Sequence, residues 1–411
     1  MIDREALRQW FEDHKMEAAQ VLMDFIKTAP VNPRSGEGGK GEIEAAKVLS
    51  GYLEKWGFEV NRIDAEDPEF GPRPNIWTVL EGEDTSKTVW LIGHMDVVSP
   101  GDLSQWDTDP FEPVMTEDGW IIGRGSEDNG QGVVSSMFAL RAMKELDIKP
   151  KYNVAVLLVA DEETGSDYGL AYLVKKGLFK EIDMAIVPDG GTPDGHFIEV
   201  AEKSILWLRF TVKGKQAHAS MPPAGVNARR AASYLAVYLD EYLHDVYADR
   251  DNLFEPPYST FELTKIESNV DSVNIIPGKD VFYMDMRILP QWKLDDIIDD
   301  VYSIVSKVEY EFKVSISVDV VQRNDAAPPT SPDAEIVRRL KKAIEIDRSI
   351  TPVVGGIGGG TVAAHLREVG VDSVVWATIE EFAHQPNERA HIDNLIGDAR
   401  TFVLTLTLDE F

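Results

Sequence analysis

The 411-residue chain has no cysteine, no long apolar run and a deficit of basic residues. The absence of cysteine excludes disulfides, thiolate metal ligands and cysteine nucleophiles, and it is typical of a cytoplasmic protein. No stretch approaches the roughly 20 consecutive apolar residues that a membrane helix needs. The charged start MIDREALRQWFEDHK lacks the apolar core of a secretory signal. We therefore predict a cytoplasmic protein without membrane spans.

The charge balance is strongly acidic, with 71 Asp and Glu against 41 Lys and Arg, a net charge of −30. Such a surface repels phosphates, which predicts no binding to nucleic acid and no docking on anionic membranes. A well-solvated surface explains this acidity. Adaptation to high salt would explain it equally, and the sequence leaves both explanations open.

The first half of the chain alternates short apolar runs with helical patterns. Residues 4–27 have the apolar spacing of an amphipathic helix. Buried-type strands are predicted at Thr88–Ile92, Val154–Ala160 and Met184–Val187, and helices at Val133–Leu146, Asp167–Lys176 and Thr361–Val369, the last of which ends at Gly370. This alternation predicts an α/β catalytic domain around a mainly parallel sheet.

The pattern changes near residue 202. Strands are predicted at Ile205–Val212, Ser259–Ile266, Val281–Arg287 and Val314–Val321, and helices at Asn227–His244 and about Leu294–Val308. This βαββαβ-like order predicts a small α+β domain, and the Pro-rich run NDAAPPTSPD predicts a linker. We therefore expect a catalytic domain in two parts, 1–201 and 325–411, interrupted by an inserted lid domain at 202–324.

Several polar side chains follow the predicted strands. In GHMD, directly after the run TVWLI, His94 could bind a metal while Asp96 holds its other ring nitrogen. In the Gly-rich segment GRGSEDNG, Asp128 could bridge two cations with its two oxygens. A surface His–Asp pair and an N-cap aspartate are the plainer interpretations of these two motifs.

Further acidic and histidine residues occur in similar places. Glu162 and Glu163 in DEETGS follow the run NVAVLLVA, so one could bind a metal while its neighbour acts as a base. Asp189 follows MAIVP, and His384 lies in AHQPNE. A solvated acidic loop and a simple Asp-Gly turn are the alternatives.

Taken together, these residues indicate a metal site more strongly than each does alone. In open α/β sheets, ligands bind at the carboxyl ends of the strands, where His94, Glu162, Glu163 and Asp189 are predicted to converge. Two histidines and three carboxylates suit a pair of divalent cations such as zinc, cobalt or manganese. Two cations and a neighbouring acid are the groups that amide hydrolysis needs.

The motifs also resemble those of one family in order and spacing. GHMD, GRGSEDNG, DEETGS, VPDGG, GKQAHASMPPAGVNA, MDMR and AHQPNE are similar to motifs of the co-catalytic zinc metallopeptidases and deacylases. That family includes aminoacylase-1, carboxypeptidase G, acetylornithine deacetylase, succinyl-diaminopimelate desuccinylase and the carnosinase-like dipeptidases. The resemblance covers nearly the whole chain. Gly130-Gln131 replaces the Lys-Gly of many members, and Val362 replaces the aspartate of their Gly-Thr-Asp, which leaves the substrate open.

The resemblance implies roles for seven residues of the predicted centre. They are His94 and Asp189 as ligands of one metal, Glu163 and His384 as ligands of the other, Asp128 as the bridging carboxylate, Glu162 as the general base and Asp96 as the residue that orients His94.

The resemblance also implies roles for residues that contact the substrate. His218 is similar to a histidine that stabilises the oxyanion, and in dimeric members this histidine enters the partner's site. Arg287 resembles an arginine that binds a substrate carboxylate. Asn274 matches an asparagine near the substrate, and Gly359, Gly360 and Thr361 form a Gly-rich carboxylate cradle. An ordinary hinge histidine, and an internal pair between Arg287 and Asp285, are the alternatives.

These observations predict a metal-dependent enzyme that acts on a small-molecule substrate. We expect a two-metal hydrolase of the carboxypeptidase or dipeptidase type, which cleaves the amide bond of short peptides or N-acylated amino acids with a free carboxylate. The expected cofactor is a pair of zinc ions, with cobalt or manganese as alternatives. An N-acyl amino acid deacylase and a catalytically silent binding protein are the competing interpretations. The resemblance also implies a homodimer that forms through the lid domain.

Overall fold

A computed structural model describes residues 3–36 and 38–408 of the chain. The chain folds into two compact units. The first unit comprises Met1–Val200, Thr330–Val354 and Thr361–Phe411, and the second comprises Ala201–Pro329 and Gly355–Gly360. Among the described residues, no helix is both long and apolar enough to cross a bilayer.

The helices of the described residues are α1 (Arg4–Ile26), α2 (Ile43–Lys55), α3 (Gly132–Glu145), α4 (Leu170–Lys175), α5 (Ala228–Val246), α6 (Leu294–Phe312), α7 (Glu335–Arg348), α8 (Ala363–Arg367) and α9 (Ile392–Thr407). The first of them shows how sequence sets a boundary. The Asp3 side chain accepts hydrogen bonds from the Glu5 and Ala6 N–H groups and so caps α1. The predicted helix over residues 4–27 therefore agrees with α1 to within one residue.

The strands are β1 (Asn61–Asp67), β2 (Gly71–Leu80), β3 (Asp84–His94), β4 (Val114–Met115), β5 (Trp120–Ile122), β6 (Tyr152–Val159), β7 (Met184–Thr192), β8 (Phe197–Glu202), β9 (Ser204–Lys213), β10 (Ala217–His218), β11 (Thr260–Ile266), β12 (Ile275–Ile276), β13 (Lys279–Ile288), β14 (Ser315–Asn324), β15 (Val353–Ile357), β16 (Asp372–Thr378) and β17 (Arg389–His391).

The large sheet has the strand order β1-β2-β6-β3-β7-β16-β8-β15. Its centre is parallel, because β3 pairs in parallel with β6 and β7, and β7 pairs in parallel with β16. The central strands are buried on both faces, which is why they read as continuous apolar runs in the sequence. The predicted mainly parallel α/β class is confirmed.

Two predicted helices are shorter in the structure. The helix predicted at Asp167–Lys176 begins only at Leu170, because the backbone of Gly169 is not helical. The helix predicted at Thr361–Val369 is only α8, Ala363–Arg367. The Val371 N–H turns back to the Leu366 carbonyl there, which ends the helix before Gly370. Both corrections concern helix ends, which apolar spacing defines poorly.

The second unit is a four-stranded sheet with the order β11-β13-β9-β14, in which all neighbours are antiparallel. Helices α5 and α6 pack on one face of it. Alternate residues of β9 and β13, such as Phe210 and Met284, join Leu235 of α5 and Val301 of α6 in one buried core. The succession of the main elements along the chain is βαββαβ, as predicted for an α+β domain.

Candidate metal centre

The parallel strands of the first unit bring acidic and histidine side chains to one edge of the sheet. Strand β3 lies between β6 and β7 and ends at His94. Strand β7 carries Asp189, and the short 3-10 turn Glu162–Thr164 follows β6 almost directly. Because the carboxyl ends of parallel strands meet at the same edge, these residues lie close together.

The first cluster surrounds the buried imidazole of His94, whose side chain is 2% exposed. Its Nε2 atom lies 2.8 Å from Asp128 Oδ1, 3.5 Å from Asp189 Oδ1 and 3.9 Å from Glu162 Oε2. One candidate ligand atom from each of His94, Glu162 and Asp189 lies within 4.8 Å of those of the other two. One imidazole nitrogen therefore faces three carboxylates.

The second cluster is formed by Asp128, Glu163 and His384, whose candidate ligand atoms also lie within 4.8 Å of one another. His384 Nε2 lies 3.0 Å from Asp128 Oδ2 and 3.1 Å from Glu163 Oε2. Asp128 therefore turns one oxygen to each imidazole, since its Oδ1 faces His94 and its Oδ2 faces His384. This arrangement suits a carboxylate that bridges two ions.

Asp96 contacts His94 in a way that the sequence did not predict. The ring Nδ1 atom lies 2.9 Å from the Asp96 carbonyl oxygen, whereas the nearest Asp96 carboxylate oxygen is 3.7 Å away. The carboxylate instead accepts hydrogen bonds from the Glu162 N–H (2.9 Å), the Glu163 N–H (3.1 Å) and the Asn32 side-chain amide (2.8 Å). The backbone of Asp96 thus orients the imidazole, and its side chain holds the turn that carries both glutamates.

Asn129 is a site residue that sequence reasoning missed. Its side-chain amide donates to Asp189 Oδ1 at 2.9 Å and to the Pro188 carbonyl at 2.7 Å, and its Oδ1 accepts from the His94 N–H at 3.3 Å. Asn129 therefore ties two predicted ligands of one ion together. Its place directly after Asp128 in GRGSEDNG was the available signal.

The carboxylates of the centre have shifted pKa values. Burial raises the pKa of Glu162 well above its usual range, raises that of Asp189, and raises that of Glu163 to about 7. Burial acts in the same direction on Asp128, but hydrogen bonds from His384 and His94 outweigh it and lower its pKa. These carboxylates are crowded together in a region where few cations balance them.

The two imidazoles respond to the same crowding. Hydrogen bonds to Asp128 and Glu163 raise the pKa of His384 to about 10. Burial lowers the pKa of His94, but Asp189 and Asp128 outweigh it and raise the pKa well above its usual range. The raised pKa values of both imidazoles therefore have the same cause, the excess of carboxylates around them.

The donor set fits a pair of divalent cations. Four carboxylates, those of Asp128, Glu162, Glu163 and Asp189, converge with only two imidazoles. Glu163 Oε1 is buried and has no hydrogen-bond partner among the described residues. A buried oxygen without a partner is costly, and a bound cation would satisfy it. Oxygen and imidazole nitrogen donors match the ligand preferences of zinc, cobalt and manganese.

His218 and Asn274 lie side by side in the second unit, where β10 and β12 pair His218 with Ile275. Both side chains are exposed. His218 Nδ1 accepts a hydrogen bond from the Ser220 N–H at 3.1 Å, and the Asn274 carbonyl accepts one from the Ala219 N–H at 2.8 Å. Both predicted substrate residues thus belong to one small two-stranded ribbon.

Arg287 is engaged within the second unit. Its Nε and Nη2 donate to the two Asp285 carboxylate oxygens at 2.7 and 3.1 Å, and its Nη1 donates to the Gly358 carbonyl at 2.8 Å. The internal pair with Asp285 is therefore present. Gly359 and Gly360 continue the same loop of the second unit, whereas Thr361 belongs to the first unit.

Comparison with known proteins supports the family that the motifs indicated. The profile of peptidase family M20/M25/M40 matches residues 90–407. An uncharacterized metallohydrolase of Methanocaldococcus jannaschii is 40% identical over 409 residues, which cover 94% of this chain and 98% of that protein. A succinyl-diaminopimelate desuccinylase of Nitrosomonas eutropha is 26% identical over 366 residues, which cover 88% of this chain and 91% of that protein.

Two solved structures are similar across almost the whole chain. Human carnosine dipeptidase 1 superposes with a TM-score of 0.73 at 18% identity, covering 99% of this chain and 98% of that one. An M20 family metallo-carboxypeptidase of Sulfolobus solfataricus superposes with a TM-score of 0.71 at 20% identity, covering 95% and 99%. At these identities the likeness establishes the fold.

Proposed function

The chain belongs to peptidase family M20/M25/M40 and is a metal-dependent hydrolase, and we propose that it cleaves the amide bond of short peptides or N-acylated amino acids that have a free carboxylate. The observation that carries this proposal is Asp128, which turns one oxygen to His94 and the other to His384. Two adjacent cation sites joined by one carboxylate suit hydrolysis of an unreactive amide better than binding alone.

We propose that His94 and Asp189 hold one ion, that Glu163 and His384 hold the other, and that Asp128 bridges the two. Zinc is the proposed metal, with cobalt and manganese as alternatives that the same donors accept. When bound, such a pair polarises a substrate carbonyl and makes a water molecule more acidic. The chain itself fixes the donors through Asn129 and the carbonyl of Asp96.

Glu162 is the proposed general acid and base. Its backbone N–H is held by the Asp96 carboxylate, and its side chain lies 3.9 Å from His94 beside the proposed ligands. Burial raises its pKa, which is the direction of shift that general acid and base catalysis near neutral pH requires. We propose that Glu162 takes a proton from the attacking water and transfers it to the leaving amine.

Residues of the second unit, together with Thr361 of the first, are proposed to act on the substrate. His218 would stabilise the oxyanion, and Asn274 would contact the substrate near it. Arg287, Gly359, Gly360 and Thr361 would bind the free carboxylate. A guanidinium has five N–H donors, and three of those of Arg287 donate to Asp285 and Gly358. The remaining donors could bind a carboxylate without loss of the Asp285 pair.

The proposed function is tested with metal-stripped protein to which zinc, cobalt or manganese is added back. The substrates are dipeptides, N-acetyl and N-succinyl amino acids, and a carboxylate-blocked version of each. We expect metal to restore turnover only of substrates with a free carboxylate. Equal turnover of blocked and unblocked substrates would refute the proposed carboxylate site, and no turnover with any metal would refute the proposed reaction.

The role of Glu162 is tested by Glu162→Gln, which keeps the size of the side chain but removes its proton transfer. We expect kcat to fall on the order of 10²–10⁴-fold, while two metal ions still bind. Asp167→Asn is the matched control, because Asp167 is an acid in the same segment whose side chain is 78% exposed. Full activity of Glu162→Gln would rule out the proposed base.

An N-acyl amino acid deacylase is the second candidate. The observation that favours it is the 26% identity to a protein named succinyl-diaminopimelate desuccinylase over most of both chains. The same substrate panel separates the two candidates. A kcat/KM for N-succinyl or N-acetyl amino acids well above that for every dipeptide would favour the deacylase, and the reverse would favour the peptidase.

We further propose a cytoplasmic homodimer in which His218 acts on the substrate bound by the partner subunit. A mixture of His218→Ala and Glu162→Ala chains tests this arrangement. If each site takes its histidine from the other chain, mixed dimers recover part of the activity that both parents lack. A mixture that stays inactive although mixed dimers form would exclude sharing of His218.

A further inference from the structure

Two loops of the first unit deliver Asp128 and His384 to the candidate centre. One runs from Gly123 to Asp128, between β5 and α3, and the other runs from Glu380 to Glu388, between β16 and β17. The first loop also carries Glu127 and the second carries Glu388. Both glutamates are fully buried, and neither has a part in the proposed reaction. Both glutamates reach across to the other loop.

Glu388 lies four residues after His384 and binds the loop of Asp128. One of its carboxylate oxygens accepts hydrogen bonds from Arg124 Nη1 at 2.7 Å and the Gly125 N–H at 3.0 Å. The other accepts from the N–H groups of Glu127 at 2.9 Å and Asp128 at 3.0 Å. One carboxylate thus collects four donors from the loop that carries Asp128.

Glu127 precedes Asp128 and binds the loop of His384. Its Oε1 accepts a hydrogen bond from the Glu380 N–H at 2.7 Å, and its Oε2 accepts one from the Phe382 N–H at 2.5 Å. The contacts are therefore reciprocal: the neighbour of Asp128 holds the loop of His384, and a residue near His384 holds the loop of Asp128.

We propose that Glu127 and Glu388 are positioning residues that form a carboxylate clasp between the two loops. By carboxylate clasp we mean the contacts of Glu127 with the N–H groups of Glu380 and Phe382, together with those of Glu388 with Arg124, Gly125, Glu127 and Asp128. The clasp fixes Asp128 against His384 before any metal ion binds.

The position of His384 explains why such a clasp is needed. His94 is built into the end of a central strand, and its side chain is 2% exposed. His384 lies in a loop, and its side chain is 55% exposed. Packing therefore restrains His384 far less than His94. Hydrogen bonds from backbone N–H groups to buried carboxylates are strong and directional, so they can supply the missing restraint.

The inference concerns the proposed centre and rests on the proposed function for its biological meaning, but its first test needs no metal. Hydrogen exchange of the full-length, metal-free protein is followed peptide by peptide for the wild type, Glu127→Gln and Glu388→Gln. Glutamine keeps the size of the side chain, but its NH2 group is a donor and cannot accept a hydrogen bond from a backbone N–H group. Each variant therefore breaks bonds to the opposite loop.

We expect each variant to speed hydrogen exchange in the opposite loop. Glu127→Gln should speed exchange in peptides that cover residues 380–382, and Glu388→Gln should speed exchange in those that cover 125–128, each by roughly tenfold or more. Peptides of the central strands should be unchanged. Glu381→Gln is the matched control, because it removes an exposed carboxylate from the loop of His384 without touching the clasp. Unchanged exchange in both loops, or equal acceleration throughout the unit, would refute the clasp.

A second measurement links the clasp to the metal ions. Zinc is titrated into each metal-stripped protein to measure the affinity for each ion. In a separate sample cobalt is added instead, and its absorption spectrum is recorded. We expect two ions per chain in the wild type and in Glu381→Gln. In both clasp variants the affinity for one ion should fall about 10–100-fold, with a changed cobalt spectrum. If each variant speeds hydrogen exchange in the opposite loop but keeps its affinity for both ions, the clasp is purely structural and its positioning role is overturned. A wild type that binds no ion would contradict the proposed function alone.

Discussion

Two glutamates of the first unit, Glu163 and Glu335, show opposite uses of the same side chain. Glu335, at the start of α7, accepts hydrogen bonds from Tyr152 (2.9 Å), Arg339 (2.9 Å) and Lys87 (3.2 Å). Burial raises its pKa, but these donors outweigh burial and lower the pKa to about 2. Glu163 lies among other carboxylates, and burial raises its pKa to about 7.

The comparison separates a structural carboxylate from a proposed metal ligand. Glu335 is surrounded by donors, so its charge stabilises the folded state. Glu163 has one oxygen without a partner among the described residues and shares its surroundings with Asp128. Its charge therefore opposes folding where no cation neutralises it. Perturbed carboxylates of this kind concentrate at functional sites, where stability is given up for activity.

The largest expected effect concerns the carboxylate that joins the two clusters. Asp128→Ala removes the contact with both imidazoles, so we expect both ions to bind weakly and kcat/KM to fall on the order of 10³-fold or more. Metal content after dialysis and steady-state kinetics measure the change, with Asp167→Asn as the control. An Asp128→Ala protein that keeps two ions and most of its activity would abolish the distinction between the two kinds of carboxylate.

A smaller effect is expected at Glu335. Glu335→Gln should lower the free energy of unfolding at pH 7 by about 1–3 kcal/mol and leave metal binding and kcat unchanged. The folded pKa of about 2 lies below the unfolded value of about 4.3. The stabilisation is therefore complete well above the unfolded value and is lost as the pH falls toward the folded one.

Urea unfolding of the wild type and of Glu335→Gln at pH 7 and pH 3 checks this prediction. The difference between the two proteins should shrink at pH 3. A difference that stays constant between the two pH values would mean that ionisation of Glu335 does not contribute. A loss of activity in Glu335→Gln would show that this carboxylate also serves function.

The smallest expected effect has the opposite sign. Glu163→Gln should raise the free energy of unfolding of the metal-free protein by about 1 kcal/mol, because it removes a negative charge from a crowded site. The same variant should bind one ion where the wild type binds two. Thermal unfolding with and without a chelator measures both effects. A less stable metal-free variant would show that Glu163 is already well paired without metal.

The sequence was sufficient to predict which residues at strand ends lie together in the candidate centre. His94 and Glu163 follow continuous apolar runs, and the parallel arrangement of such runs brings their ends together. The prediction was wrong about the contact of Asp96, because a His-x-Asp spacing cannot tell whether the carbonyl or the carboxylate of the aspartate reaches the ring. That choice depends on the N–H groups of Glu162 and Glu163, which lie in the turn after a different strand, β6.

The carboxylate clasp left no readable signal in the sequence. Glu127 and Glu388 are two of 71 acidic residues, and in so acidic a chain an additional glutamate is expected to be exposed. Their burial depends on backbone N–H groups more than 250 residues away along the chain. Apolar spacing reports which face of an element is buried, but it does not report which loops exchange hydrogen bonds.

The chain leaves the first unit after Val200 and returns to it at Thr330, and the Thr330 N–H donates to the Val200 carbonyl at 2.9 Å. The segment 201–329 therefore begins and ends at neighbouring positions. Close ends are the reason that a host domain tolerates the insertion of another segment. An evolving lineage could thus replace the intervening sequence while inheriting the strands that carry His94 and Asp189 unaltered.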